Sequence, residues 1–199
     1  MTRTVLLVAA AALAASGCAP HRIQYYQLSR FEKEARTAEA GPALLVGRIA
    51  TPQALQDGRI RYREGLNEVG AYEYHRWTDP PGIMVQEALI QMLRASGKYK
   101  SVEEAGSSAV GDYSVRGRLL EFAELDGEAI ETRVSLELEL REAKTGRLIW
   151  NQRLTHDDPV QAKKVSDIVQ SLDRNLRAVL DEAAAAIGAY VGAHPLTSR

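Results

Sequence analysis

The chain has 199 residues, with 25 Lys or Arg against 26 Asp or Glu and a formal net charge of −1 at pH 7. That balance lacks the basic excess through which proteins neutralise phosphates, so no nucleic-acid partner is expected. A single cysteine excludes an intrachain disulfide framework, and the length suits one ordinary domain with a substantial core.

The N-terminus reads as an export signal. Arg3 supplies a positive head, Val5 to Ala15 is an unbroken apolar run of eleven residues, and Ser16-Gly17 precedes Cys18. The run is too short for a membrane-spanning helix, which needs about 20 residues. Ala15-Ser16-Gly17-Cys18 resembles the bacterial lipobox, where cleavage occurs before a diacylglyceryl cysteine. The expectation is therefore a signal peptide over 1–17, then Cys18 carrying diacylglyceryl and N-acyl lipid as its only prosthetic addition. No cofactor and no metal are expected. The residue after the cysteine is Ala19 and not Asp, which favours the inner leaflet of the outer membrane over the inner membrane. Residues 18–24 form a short tether, since seven residues reach roughly 24 Å.

The domain is placed at 25–191, with a loose tail over 192–199. Tyr25-Tyr26-Gln27-Leu28 is strand-like, residues 29–41 read as a loop or short helix, and 43–49 is a β-type apolar stretch ended by Thr51-Pro52. Asp57-Gly58 marks a turn, Ile60 to Arg63 alternates, and Gly70 to Trp77 is an aromatic-rich strand. Asp79 is expected to cap a helix that opens at Pro80-Pro81 and stops at Gly97. Val85, Ala88, Leu89, Met92 and Leu93 trace one face of it. Alternation over 113–125, 129–143 and 147–154 predicts an antiparallel meander with turns at Asp126-Gly127 and Lys144-Thr145-Gly146. Asp157-Asp158-Pro159 looks like the approach to a long final helix with a stripe from Val165 to Ile187. These elements give an α+β fold: a mostly antiparallel β-sheet with two α-helices packed on it.

No catalytic grouping emerges. His21, His75, His156 and His194 are scattered, without metal-ligand spacing, and read as surface or boundary residues. Gly106 to Val110 lacks the final glycine of a nucleophile elbow. The chain is therefore read as a non-enzyme. Aromatic and basic residues stand out instead: Tyr25-Tyr26, and Tyr72, Tyr74, His75, Arg76 and Trp77 before the first helix. Tyr, Trp and Arg carry much of the binding energy at protein interfaces. The alternative is that these rings close the core at a sheet edge.

The order of these motifs resembles the ABC-type transport auxiliary lipoproteins, the group that includes paraquat-inducible protein C. The resemblance rests on the lipidated cysteine, Tyr25-Tyr26-Gln27-Leu28, the strand from Val46 to Pro52 with Leu55 and the basic strand 60–63, Arg76-Trp77-Thr78-Asp79-Pro80, and the helix end from Leu93 to Gly97. Thr78-Asp79 departs from the more usual Ala-Glu. The resemblance implies a non-catalytic docking subunit of an MCE-type system for intermembrane lipid transport, partnered by a periplasmic MCE-domain protein with its permease and ATPase. Its expected partner-binding residues are Tyr25, Tyr26, Tyr74, Arg76 and Trp77. The alternative is an envelope lipoprotein that binds a lipid or other apolar ligand itself. Self-association into a homo-oligomer stays open.

Overall fold

Alternation of apolar with charged side chains from residue 113 to 154 builds the axis of the molecule. The structure is a computed structural model describing residues 21–29, 38, 41–106, 108–161 and 163–193. The signal segment, Cys18, most of the 29–41 stretch and His194 lie outside the described residues. In chain order the elements are β1 (Gln24–Tyr26), β2 (Ala43–Ala50), β3 (Arg59–Glu64), β4 (Glu68–Trp77), α1 (Pro81–Ala95), β5 (Ser101–Glu104), β6 (Tyr113–Asp126), β7 (Ile130–Glu142), β8 (Leu148–Pro159) and α2 (Val165–Ala193). A single 3-10 turn, Gln53–Leu55, follows β2.

The fold is α+β, as expected, with one mixed sheet. Antiparallel ladders join β3 to β4, β6 to β7 and β7 to β8, and these carry most of the pairing. Four shorter parallel ladders join β1 to β4, β2 to β5, and both β2 and β3 to β6. Parallel neighbours need long connections, and β3, β4 and α1 all intervene between β2 and β5. Strand β6 is the hub. One of its edges is lined by β7 along its whole length; the other is shared by β2 over residues 113–118 and by β3 over 123–126.

Both helices cover the same apolar side. Val85, Leu89 and Leu93 of α1 are fully buried, and the helix packs on β2 and β5. Ile168, Leu172, Val179, Leu180 and Ile187 of α2 are likewise fully buried, against β7, β8 and α1. Two local expectations change. The N-cap of α1 is Pro80, whose carbonyl accepts from Ile83 N at 2.9 Å, and no side chain caps the helix; Asp79 stands one residue too early. Asp157-Asp158-Pro159 belongs to β8, opposite Arg133, Thr132 and Glu131, because Arg133 donates two 2.7 Å hydrogen bonds to Asp157 and holds it in the ladder. Gly97 stops α1 as expected, at φ +66.

Candidate functional site

Strand β1 is three residues long and lies parallel on β4, with Gln24, Tyr25 and Tyr26 opposite His75, Arg76 and Trp77. Thr78 N donates to Tyr26 O at 2.8 Å and extends the ladder. The fold thus joins two segments that the sequence separates by about fifty residues. Successive strand residues point to opposite faces, so Tyr26 and Trp77 share one side of this ladder and Tyr25 and Arg76 the other.

Those two sides have different fates. Trp77 is 3% exposed, with its ring centroid 5.3 Å from that of Phe122, so its indole belongs to the core and leaves the expected contact surface. Tyr26 is half-buried; its hydroxyl donates to Gln24 Oε1 at 2.8 Å and hydrogen-bonds His75 Nδ1 at 3.0 Å, and burial raises its pKa. On the other side Tyr25 is 63% exposed beside the half-buried Arg76. Tyr74 is half-buried and stacks on His21, centroids 4.6 Å apart. Of the five residues expected from sequence, Tyr25, Tyr74 and Arg76 form an accessible patch, Tyr26 supports it, and Trp77 is interior.

A buried carboxyl sits behind this patch. Between Arg59, opposite Arg76, and Arg61, opposite Ala71, two steps along β3 match five along β4. Within that irregular stretch Tyr72 donates from its hydroxyl to Glu124 Oε2 at 2.5 Å. The rings of Tyr62 and His75 meet Tyr72 edge-on, at 5.4 and 5.8 Å. Gly70 makes room for this: a Cβ there would come within 2.2 Å of the Tyr62 ring, the close approach for which a strand uses glycine. Glu124 has no solvent exposure and its Oε1 has no hydrogen-bond partner. Burial raises the Glu124 carboxyl, opposed by the Tyr72 hydrogen bond and the Lys163 charge. Burial and the neighbouring acid push the Tyr72 phenol far up in turn. Glu124 was not among the residues singled out from sequence. Its signal was present, since it falls in phase with Phe122 on the helix-facing side of β6.

Chemically the cluster is inward-looking: Tyr72 bonds Glu124, and Tyr26 bonds His75 and Gln24. No group of three or more His, Cys, Asp or Glu among the described residues is placed to hold a metal. Beside β1 a cleft of about 320 Å³ runs between Gln27, Leu28, Thr78, Asp79, Met84 and Glu87. Its mixed, acidic lining differs from the predominantly apolar walls of small-molecule sites. What the site presents outward is an aromatic and guanidinium patch on a short edge strand.

The profile of the ABC-type transport auxiliary lipoprotein component family matches residues 26–184, from β1 into α2. The chain belongs to this family. As an auxiliary lipoprotein of ABC-type transport it is an envelope-anchored component, from a family of transport accessories. No curated protein matches the sequence. The auxiliary lipoprotein is similar in fold to protein XCC0632 from Xanthomonas campestris, with a TM-score of 0.76 and 16% identity over 85% of this chain and 97% of that one. An uncharacterized protein superposes with a TM-score of 0.67 and 17% identity, over 83% and 99% of the two chains. The hypothetical protein CT253 from Chlamydia trachomatis gives 0.55 and 10%, over 78% and 100%. At these identities the likeness is one of fold alone.

Proposed function

We propose that the auxiliary lipoprotein is cut after residue 17, lipidated on Cys18 and held against the inner leaflet of the outer membrane, where it docks a periplasmic MCE-domain protein served by a permease and an ATPase. The observation that carries this reading is Tyr25, 63% exposed beside Arg76 on an edge strand, only seven residues from Cys18. The lipid sets position, each buried CH₂ of its acyl chains adding about 0.8 kcal/mol of membrane affinity. The patch of Tyr25, Tyr74 and Arg76 sets specificity, because Tyr buries a large ring at low entropic cost and both Tyr and Arg are enriched among the residues that carry binding energy. The role is positional: the subunit fixes where the transport assembly meets the membrane. A ligand-carrying role of its own would need an apolar cavity of about 300 Å³ or more; Leu136, Leu138 and Leu140 are packed under the helices with Leu176, Val179 and Leu180, each at most 1% exposed, and the apolar cleft beside Leu55, Val69 and Leu120 holds about 260 Å³.

Affinity purification of the lipidated protein from its own envelope, with bound proteins identified by mass spectrometry, tests the reading. Recovery of an MCE-domain protein with its permease or ATPase is expected, and a folded Tyr25→Ala/Arg76→Ala variant is expected to recover far less. Specific recovery of unrelated proteins, or of none, would remove the transporter role.

A further inference from the structure

The β3–β4 hairpin carries apolar side chains that no core uses. Leu66 at its tip is 92% exposed, and Val69 is 60% exposed just after it. Gly65, at φ +59, supplies the conformation that the turn requires. Nothing in that geometry asks for leucine next to it, and turn positions ordinarily take Gly, Pro, Asn, Asp or Ser. The tip is also held in place. Gly65 N donates to Asp126 O at 3.3 Å, and Lys163 is ion-paired to Asp126. The hairpin tip, the β6–β7 turn and the approach to α2 therefore form one pole of the domain.

The direction of the chain indicates what lies beyond that pole. Because β1 runs parallel to β4, its upstream end points back along β4 toward the hairpin tip. His21 stacks on Tyr74 on that approach, and Ile23 is 40% exposed. Cys18 lies three residues before His21, about 10 Å of extended chain. Exposed apolar residues also occur at the opposite pole, where β6 begins: Val110 at 90% and Leu148 at 47%. That pole is about 45 Å away along β6, out of reach of the tether. Of the two apolar poles, only the hairpin pole can meet a membrane that holds Cys18.

We infer that Leu66 and Val69 form a second membrane contact, dipping into the interface of the phospholipid surface that anchors Cys18. The inference rests on the lipidation proposed above. A lipid alone is a swivel; a second contact fixes orientation and turns the start of β6 away from the membrane. Glu64 and Glu68 flank the tip and face the headgroup layer, so the surface that fits is zwitterionic and not strongly anionic.

The test uses the mature lipidated protein in phosphatidylcholine vesicles, labelled with a polarity-sensitive fluorophore at Leu66→Cys or at Val110→Cys; acylated Cys18 has no free thiol to compete. The label at 66 is expected to shift to the blue and to be quenched by lipid-borne quenchers, and the label at 110 to do neither. Equal exposure of both labels to water, or quenching at 110 alone, overturns the contact. Vesicle co-flotation and the mass of the N-terminal peptide are measured on the same samples. A chain without acyl mass that stays off the vesicles removes the Cys18 reading, and this contact with it; an acylated, vesicle-bound chain with a wet label at 66 removes this contact only.

Discussion

In the β6–β7–β8 meander, Val134, Leu136, Leu138 and Leu140 of β7 are all fully buried under the helices, while Arg133, Glu137, Glu139 and Arg141 alternate toward solvent. In the β1–β4–β3 wing the same chain interrupts its ladder, turns Tyr72 onto the buried Glu124 carboxyl of β6, and leaves Tyr25, Leu66 and Val69 in water. Side chains in the first region do what stability asks of them. Several in the second do not, and the wing is where the chain enters the fold, with Tyr25 seven residues after Cys18, the proposed site of lipidation. The contrast separates residues kept for folding from residues available for contact.

The largest expected effect tests the boundary between the two classes. Trp77 belongs to the wing by position but to the core by packing, so Trp77→Ala should cost about 3–5 kcal/mol in urea unfolding. A loss below 1 kcal/mol would return the indole to the surface. Leu138→Ala, in the centre of the meander, should cost about 2–5 kcal/mol by the same measurement.

Glu124→Gln should act in the opposite direction. Burial raises the Glu124 carboxyl, so the folded state holds that proton more tightly than the unfolded chain does. The destabilisation is absent below the ordinary carboxyl range and grows as pH rises through the raised pKa. The glutamine variant, which keeps an acceptor for Tyr72, should melt higher than wild type at pH 7 by about 2–4 °C, the equivalent of about 1 kcal/mol for a domain of this size. The gap should close toward pH 4. A variant that is less stable at every pH would mean that the ionised acid is a net stabiliser through Tyr72.

The smallest effect on stability should come from the patch. Tyr25→Ala should leave unfolding within about 0.5 kcal/mol of wild type, as exposed substitutions usually do, while lowering recovery of the transport partner. A large loss of stability there would make Tyr25 part of the fold.

The meander was legible because period-two alternation leaves only one register that buries its leucines. The stripes of α1 and α2 were legible for the same reason at the helical period. The wing was not. A three-residue strand such as β1 has too few positions to show a period, and whether it pairs parallel or antiparallel depends on a partner about fifty residues away. The interrupted β3–β4 ladder breaks the alternation around Tyr72 to His75, so the sequence did not show that Tyr72 turns toward Glu124. Strand β5 escaped notice because only Val102 of its four residues is buried. The aromatic cluster could be found by composition, but composition could not separate Trp77 from Tyr25; that division depends on which face of the β1–β4 ladder each side chain takes.

The most direct measurement places a photo-crosslinking amino acid at position 25 of the lipidated protein in its own envelope. The account expects a covalent adduct to a periplasmic MCE-domain protein of a transport system, with no such adduct from position 110 at the far pole. Adducts at 110 and none at 25, or no transport component at either position, would contradict the claim that the β1–β4 edge docks the transporter.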